Sequence, residues 1–314
     1  MHAGSLAEPR APVHRTFCRT VSSRDATLRG VIPRAELHRA DAEELLARLP
    51  EGSATLVYAD PPFFTQRDFK TNSHARREHG EEEAFEDRWD DLEAYLSFVV
   101  GLARGARRVL RPEGSFVLHL DPKASHSAKV RCDEVFGRDA FASEIIWRYR
   151  RWPAKTRNFQ RVHDVLLRWV RDPAATPVFH QLYEPLAEST RRIWGENKQL
   201  ALFRDGKRTR SSTTDERSRG VPLGDVWEMP ILAPISKERT GYPTQKPLAL
   251  LSRLVEALTD AGDLVVDPVA GSGTALLAAA KLGRRAIGGD RGEVALRIAA
   301  ARLGVEILDA PASG

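Results

Sequence analysis

The fold is decided by the stretch Asp263-Leu-Val-Val-Asp-Pro-Val-Ala-Gly-Ser-Gly-Thr274, in which an apolar segment runs into two glycines. The apolar segment predicts a strand, and the small residues that follow as far as Leu282 predict a helix. Gly271 and Gly273 allow the backbone to approach a ligand closely, and the first amides of the helix are free to donate hydrogen bonds. This strand, loop and helix are typical of a site for a nucleotide-like cofactor.

Further strands and helices alternate along the rest of the chain. Predicted strands lie at residues 36–41, 54–57, 115–121, 144–149, 162–170 and 286–289. Predicted helices lie at residues 42–49, 91–110, 125–136, 248–258 and 293–303. This alternation predicts an α/β fold with a doubly wound, mostly parallel sheet. The strands at 144–149 and 162–170 are joined by a short connection, which favours an antiparallel hairpin at one edge.

The remaining segments differ in composition. Residues 1–34 mix Ala, Pro, Ser and Arg without a period, and we interpret them as a flexible lead-in. Residues 64–90 are rich in charge and poor in aliphatic side chains, which indicates a mobile loop. Residues 171–234 accumulate arginine and lysine among serine and threonine, and we interpret them as an inserted lobe. This lobe separates two halves of one domain, residues 35–170 and 235–314.

Composition argues against several classes of protein. Hydrophobic residues make up 42% of the chain and charged residues 29%, and no apolar run reaches the length of a membrane-spanning helix. We therefore expect a cytoplasmic protein with no membrane partner. Cys18 and Cys132 lie in unrelated contexts, so neither a disulfide nor a metal site is predicted. The formal net charge of +5 fits a polyanionic partner without identifying one.

A second motif, Tyr58-Ala-Asp-Pro-Pro-Phe63, directly follows an apolar run. The carboxylate of Asp60 and the carbonyl of Pro61 can each accept a hydrogen bond from a planar amine, and the ring of Phe63 can stack on the ring that carries this amine. The prolines make the turn stiff. Taken alone, the motif is equally consistent with a strand that simply stops and a phenylalanine in the core.

The acid Asp290 follows the strand after the glycine loop, where an acid can accept hydrogen bonds from ribose hydroxyls. A dinucleotide site would require a third glycine, and a phosphate-binding loop would require Gly-Lys-Ser or Gly-Lys-Thr; the sequence has neither. S-adenosyl-L-methionine fits better because it has no pyrophosphate and its ammonium can be met by Asp267. The alternative is a purely structural role, in which the glycines only let the helix pack closely on the strand.

Three motifs together resemble those of the beta-class DNA amino-methyltransferases: Asp60-Pro-Pro-Phe, Tyr242-Pro-Thr-Gln-Lys-Pro and Asp267-Pro-Val-Ala-Gly-Ser-Gly-Thr. The likeness covers residues 37–305. Ribosomal-RNA guanine methyltransferases carry a similar acid–proline motif, but there the glycine motif comes first. The resemblance implies the fold of S-adenosylmethionine-dependent methyltransferases in a circularly permuted motif order. It also implies double-stranded DNA as partner, and it raises a homodimer and a cognate restriction endonuclease as further partners.

The resemblance also implies a role for individual residues. The residues that look like the catalytic motif are Asp60, Pro61, Pro62 and Phe63. Those that match cofactor-binding positions are Asp41, Ala42, Thr244, Gln245, Lys246, Asp267, Val269, Gly271, Ser272, Gly273, Thr274 and Asp290. Among these, Asp41 matches the acid that recognises the adenine amine, and Lys246 is expected near the carboxylate of the cofactor. Basic residues expected to contact DNA are Arg67, Lys70, Arg151, Lys155, Lys207, Arg208 and Arg210.

The function that follows is methyl transfer from S-adenosyl-L-methionine to the N6 amine of an adenine flipped out of duplex DNA. In the resembled family an acid at the position of Asp60 favours adenine, and N4 of cytosine is the alternative. Methylation of cytosine C5 is disfavoured because neither cysteine follows a proline. A non-catalytic DNA-binding subunit of a modification complex is the alternative from another class. A methyltransferase of RNA or of a protein amide is a further one.

Overall fold

The computed structural model describes residues 35–71, 82–153, 155 and 157–309. The strands of these ranges are β1 (Ala35–Arg39), β2 (Ala54–Ala59), β3 (Arg67–Lys70), β4 (Glu83–Asp87), β5 (Leu110–Leu120), β6 (Phe141–Arg148), β7 (His163–Val170), β8 (Tyr183–Glu184), β9 (Asn197–Arg204), β10 (Lys207–Arg217), β11 (Val221–Pro222), β12 (Val226–Glu228), β13 (Leu264–Asp267), β14 (Arg285–Asp290) and β15 (Ile307–Leu308). The helices are α1 (Ala42–Arg48), α2 (Leu92–Val109), α3 (Ser125–Phe136), α4 (Glu188–Trp194), α5 (Leu248–Leu258), α6 (Thr274–Lys281) and α7 (Glu293–Leu303).

Nine strands form the main sheet in the order β12-β6-β7-β5-β2-β13-β14-β1-β15. Every neighbouring pair is parallel except those that involve β7, which runs antiparallel to both β5 and β6. The described part of the connection between β6 and β7, residues 149–162, contains no helix, whereas a parallel crossover usually contains one. The predicted α/β sheet and its antiparallel hairpin are confirmed, and β12 adds one further parallel strand outside β6.

The pairing of β2 with β13 brings the two predicted motifs together. Leu56 lies opposite Val265 and Val57 lies opposite Val266, although the two strands are far apart in the chain. Because the strands are parallel, their carboxyl ends lie at the same edge of the sheet. The chain order of the strands reverses at this pair, which is where ligands bind in open α/β sheets.

Helices cover both faces of the sheet, and alternate residues of the central strands pack against them. Val57 and Phe116 belong to the apolar cluster that includes the buried faces of α1, α2 and α3. Leu56 and Val117 belong to the cluster that includes the buried faces of α5, α6 and α7. Strands buried on both faces are apolar almost throughout, which explains why their sequences show continuous apolar runs instead of alternation.

The expected loop at residues 64–90 contains two strands, so its interpretation as a loop was wrong for this part. β3 and β4 pair antiparallel, and the rings of Phe69 and Phe85 stack with their centroids 4.7 Å apart. The sequence does not predict these strands, because charged residues surround the few apolar ones. Residues 72–81, like the expected lead-in 1–34, lie outside the described residues.

Residues 171–234 carry the strands β8 to β12 and the helix α4. β9 and β10 form a long antiparallel hairpin, and β8 pairs with β11. β12 leaves this stretch and joins the main sheet beside β6. In the ranges that the structure describes, no helix is both long and apolar enough to cross a bilayer.

The ring of Phe116 is fully buried and stacks on Phe136 and Trp169, with centroids 5.6 and 6.0 Å away. Phe116→Ala leaves a cavity at the centre of the core, and we expect it to lower the free energy of unfolding by about 3–5 kcal/mol, measured by denaturant titration. Val130→Ala on the exposed face of α3 is the control and should change it by less than about 0.5 kcal/mol. Equal effects of both substitutions would contradict this packing.

Candidate active site

A cavity of about 750 Å³ opens at the carboxyl edge of the sheet. Its lining includes the predicted turn at 60–63, the glycine loop at 267–272 and Asp290. The segment 242–246 closes one side of it. A cavity of this size is within the range of sites that bury a small ligand, so both motifs serve one site.

The turn that follows Asp60 is held by the carboxylate of Asp87, at the end of β4. The amides of Phe63, Phe64 and Thr65 donate to it over 3.1, 3.0 and 2.7 Å. Trp89 Nε1 donates to it as well, over 3.0 Å. Asp87 is fully buried, and Phe64 has a left-handed backbone with φ of 57°. The four hydrogen bonds therefore hold a turn whose backbone is strained. Sequence reasoning missed Asp87, because it lies in the stretch interpreted as a loop.

Asp60 faces the cavity and forms an ion pair with Lys246 through its Oδ2 atom. Lys246 Nζ also lies 4.8 Å from the centre of the Phe63 ring, within range of a cation–π interaction. The sequence predicts Lys246 near the carboxylate of a cofactor, whereas the structure places it against the catalytic motif. The ammonium thus occupies one acceptor position of Asp60.

Behind Asp60 lies His119, a fully buried histidine on β5. Its Nδ1 atom is 2.8 Å from the hydroxyl of Tyr58 and 4.0 Å from Asp60 Oδ1. Its Nε2 atom is 3.4 Å from Asp164 Oδ2 on β7. Burial, with the carboxylate of Asp60, raises the pKa of Tyr58 well above its usual value, so the Tyr58 hydroxyl is neutral. Sequence reasoning missed this cluster; the single histidine within an apolar strand was the available signal.

The glycine loop is tied to the next strand by Asp290. Its two carboxylate oxygens accept from Gly271 N and Gly292 N over 2.9 and 2.8 Å. Gly271 has φ of 50°, and a Cβ there would lie 3.1 Å from the ring of Tyr242, so glycine suits this position. Gly273 also has positive φ, but it faces Ala299 of α7 and does not line the cavity. Its contribution is to the turn that opens α6.

Two buried acids face the cavity beside this loop. Burial raises the pKa of Asp267 well above its usual value, and the nearby carboxylate of Asp60 raises it further. Burial also raises the pKa of Asp290, although the amides of Gly292 and Gly271 partly oppose this effect. Acids with this electrostatic environment favour a ligand that brings positive charge or hydrogen-bond donors.

The other expected cofactor residues also lie at the cavity. Those that line the cavity are Asp41, Ala42, Thr244, Gln245, Val269, Ser272 and Thr274. Gln245 also holds its own loop, because it accepts from Thr240 and donates to Glu238 O over 2.9 Å. Arg302, which the sequence did not single out, donates to Thr274 Oγ1 over 2.7 Å and to Ser272 O over 3.2 Å. It therefore braces the start of α6 from outside.

The residues expected to contact DNA lie in three places. Arg67 and Lys70 are exposed on β3, whose Phe69 lines the cavity. Arg151 and Lys155 are exposed on the connection between β6 and β7, at the edge of the sheet where the cavity opens. Lys207 begins β10 of the long hairpin, and the backbones of Arg208 and Arg210 continue that strand.

Comparison with known proteins identifies the family. The family model described as DNA methylase, of the N6 and N4 type, matches residues 54–301, from the start of β2 into α7. This match includes all three motifs and both sides of the cavity. The chain belongs to the N6/N4 DNA methylase family. It is therefore a DNA methyltransferase, and the resemblance to the amino-methyltransferases is confirmed.

Individual relatives of this N6/N4 methylase agree with the family match. The type II methyltransferase M.HpaI of Haemophilus parainfluenzae is 27% identical over 270 residues, which are 85% of this chain and 73% of that protein. The DNA adenine methyltransferase YhdJ of Escherichia coli K12 is 26% identical over 249 residues, 79% of this chain and 75% of that protein.

A solved structure shows the same fold. The DNA modification methylase TTHA0409 of Thermus thermophilus, in complex with S-adenosyl-L-methionine, superposes with a TM-score of 0.56 at 23% identity. The superposition covers 89% of this chain and all of that one. The two chains therefore share their fold.

Asp87→Ala removes the acceptor of the four donors that hold the catalytic turn. We expect the rate of methyl transfer to DNA to fall by about 10²-fold, because misplacing a reacting group by about 1 Å has that effect. Hydrogen exchange at the amides of residues 63–65 should become faster, as measured by peptide mass spectrometry. Glu83→Ala, on the exposed side of the same strand, is the control. Unchanged exchange at 63–65 would mean that Asp87 does not hold the turn.

Proposed function

We propose that the protein transfers the methyl group of S-adenosyl-L-methionine to the N6 amine of an adenine in duplex DNA. The observation that carries this proposal is the position of Asp60 and Pro61 in the same cavity as Asp267 and Asp290. One side of the cavity offers acceptors for an amine, and the other offers acids and amides for a cofactor. A non-catalytic subunit would not need both the amine acceptors and the cofactor-binding groups.

The residues on the cofactor side fit S-adenosyl-L-methionine. When bound, this cofactor supplies an electrophilic methyl group on a sulfonium. Asp267 is buried and would meet its ammonium, and the loop at Gly271 leaves room for a ligand close to the backbone. The oxygens of Asp290 each use one lone pair on an amide and retain another for ribose hydroxyls. Asp41, at the start of α1 on the cavity wall, would accept from the adenine amine.

The residues on the substrate side make the amine a better nucleophile. Its lone pair is delocalised into the base, and it becomes available when the two N–H bonds are oriented by fixed acceptors. Asp60 and the carbonyl of Pro61 are such acceptors, and the ring of Phe63 stacks on the base. The amine takes the acceptor position that Lys246 occupies in this structure. The acceptors need no rearrangement of the turn, since Asp87 already holds it.

Adenine is favoured over cytosine by two observations. The acid at position 60, as distinct from serine, is the form that leans towards adenine in the resembled family. YhdJ, one of the relatives, is named a DNA adenine methyltransferase. The family model covers both N6 and N4 enzymes, and N4 of cytosine is therefore the second candidate.

Two exposed elements suit a duplex at the mouth of the cavity. The connection between β6 and β7 carries Arg150 and Lys155 together with Trp152 and Phe159, whose side chains are 89% and 99% exposed. Cations contact phosphates, and exposed aromatic rings can stack on bases when one base is flipped out. This connection would hold the duplex while the target base enters the cavity.

The second element is the hairpin of β9 and β10, in residues 171–234, which we propose as the target-recognition lobe. Leu200, Leu202 and Phe203 are exposed on β9, and Lys207 begins β10. The major groove of DNA accepts a two-stranded ribbon, and side chains on such a ribbon can read base edges. This lobe would therefore supply sequence selectivity.

The reaction is tested with purified protein, labelled cofactor and plasmid DNA that is afterwards digested to nucleosides. We expect the label in N6-methyldeoxyadenosine. Asp60→Ala should abolish transfer, because the amine loses its charged acceptor, while the dissociation constant of the cofactor stays close to that of the wild type. Label in N4-methyldeoxycytidine would show that the target base is cytosine and not adenine. Label on RNA or protein alone would contradict both.

The connection between β6 and β7 is tested by the salt dependence of DNA binding. Arg150→Ala and Lys155→Ala should each reduce the slope of log K against log salt by about 1, because each removes one phosphate contact. Arg285→Ala is the matched control, since Arg285 is exposed at the amino end of β14 on the opposite edge of the sheet. Slopes unchanged in all three variants would remove this connection from the DNA interface.

A further inference from the structure

A row of buried polar side chains leads from the catalytic motif to the protein surface. We call Asp60, His119, Asp164 and Tyr149 the buried polar row. Asp60 Oδ1 and His119 Nδ1 are 4.0 Å apart, and His119 Nε2 and Asp164 Oδ2 are 3.4 Å apart. The hydroxyl of Tyr149 donates to Asp164 Oδ1 over 2.8 Å. At the outer end, the exposed guanidinium of Arg151 donates to the Tyr149 hydroxyl over 3.3 Å.

The charges in the row are not needed to build the sheet. Apolar residues fill the neighbouring positions of β5 and β7, and an apolar side chain at position 119 would avoid burying an imidazole. Asp60 Oδ1 is buried, and among the described residues it has no hydrogen-bond partner. A buried polar atom without a partner is costly, and a catalytic role is one explanation for it.

The groups around His119 determine how it can hold a proton. The hydrogen bond between the Tyr58 hydroxyl from β2 and Nδ1 fits either tautomer of the ring. We place the imidazole hydrogen on Nε2, because the nearest charged group to this atom is the carboxylate of Asp164, 3.4 Å away, although the two are not hydrogen-bonded in this structure. Burial alone would raise the pKa of Asp164, but His119, Lys246 and Tyr149 lower it below the usual value. Asp164 is therefore an ionised acceptor on the far side of the ring. Trp147 from β6 contacts the ring edge-on and carries no charge.

Methyl transfer releases one proton at Asp60. The amine lone pair forms the new N–C bond, and the electrons of the broken S–C bond go to sulfur. The nitrogen then carries a positive charge and loses a proton, which Asp60 accepts. With a base and a cofactor in the cavity, the side chain of Asp60, only 17% exposed in this structure, is shielded from water. A protonated Asp60 would have one acceptor fewer for the next amine.

We infer that His119 is a positioning residue that takes up this proton from Asp60 and returns Asp60 to its ionised form. A small rotation of the Asp60 carboxyl group brings its proton to Nδ1. The Tyr58 hydroxyl, whose hydrogen can rotate, then accepts from Nδ1–H. The imidazolium gives its Nε2 proton to Asp164. The Tyr149 hydroxyl, which donates to Asp164 in this structure, turns its own hydrogen to water at the surface, releases it there and accepts the proton from Asp164. Arg151 only donates to this hydroxyl and takes up no proton. This inference rests on the proposed role of Asp60.

The decisive variant is His119→Asn. The asparagine amide oxygen can replace Nδ1 as the acceptor of the Tyr58 hydroxyl, but the side chain cannot take up a proton. We expect the melting temperature and the dissociation constant of the cofactor to stay near the wild-type values. The steady-state rate of methylation over many turnovers should fall by about 10²-fold, as for the loss of a group that accepts a proton. The single-turnover rate should stay near the wild-type value, because the first transfer finds Asp60 without the proton.

His126→Asn, on the exposed face of α3, is the matched control and should leave both the steady-state and the single-turnover rate unchanged. Tyr149→Phe keeps the ring packed on Trp147 and removes only the hydroxyl at the outer end of the row. We expect Tyr149→Phe to lower the steady-state rate of methylation by a smaller factor than His119→Asn does. If His119→Asn does not fold, Tyr149→Phe is the variant that tests the inference.

A wild-type steady-state rate in His119→Asn, or an equal fall of its single-turnover rate, would overturn the inference. Where this variant is unfolded, an unchanged steady-state rate in Tyr149→Phe would overturn it. The readout counts methylated bases of either kind, so a preference for cytosine does not affect it. Full activity of Asp60→Ala would instead contradict the proposed role of Asp60. The two failures are therefore distinguishable.

Discussion

The structure of the site depends on one pairing, that of β2 with β13 in the middle of the main sheet. Each strand ends in an acid-containing turn, and neither turn forms a site alone. The parallel register places Asp60 and Asp267 at the same edge, where the chain order of the strands reverses. The apolar side chains of both strands are buried on both faces, so the pairing is held by the core of the domain and not by the ligands.

This pairing brings several acids into one cavity. Two kinds of contact reduce the resulting repulsion between their carboxylates. Lys246 neutralises Asp60, and backbone amides solvate Asp290. Asp267 is the least compensated, and its raised pKa means that the folded state holds a proton more tightly than the unfolded chain does. Ionising it as the pH rises therefore costs free energy of folding. A ligand with positive charge offsets this cost, which links the affinity of the site to its electrostatics.

Much of the fold and part of the site follow from the sequence. Apolar runs and helical periodicity predict the strands and helices of the main sheet, and the short β6–β7 connection predicts the reversed strand. The motifs at Asp60 and Gly271 predict the two sides of the cavity because each is local: a few adjacent residues determine a turn and its chemistry. The β3–β4 hairpin was missed for the complementary reason, since Phe69 and Phe85 become apolar neighbours only after the strands pair.

The sequence by itself determined the order of the strands and helices, the stiff turn at Pro61 and the glycine loop at Gly271, because short-range sterics and periodicity encode them. Only the tertiary structure decided that Asp87 holds that turn, that Lys246 pairs with Asp60 and that His119 and Asp164 lie behind the catalytic acid. These contacts join residues from different strands and loops. Their partners are chosen by sheet register and by the need to compensate buried charge, and neither is visible in any single stretch of sequence.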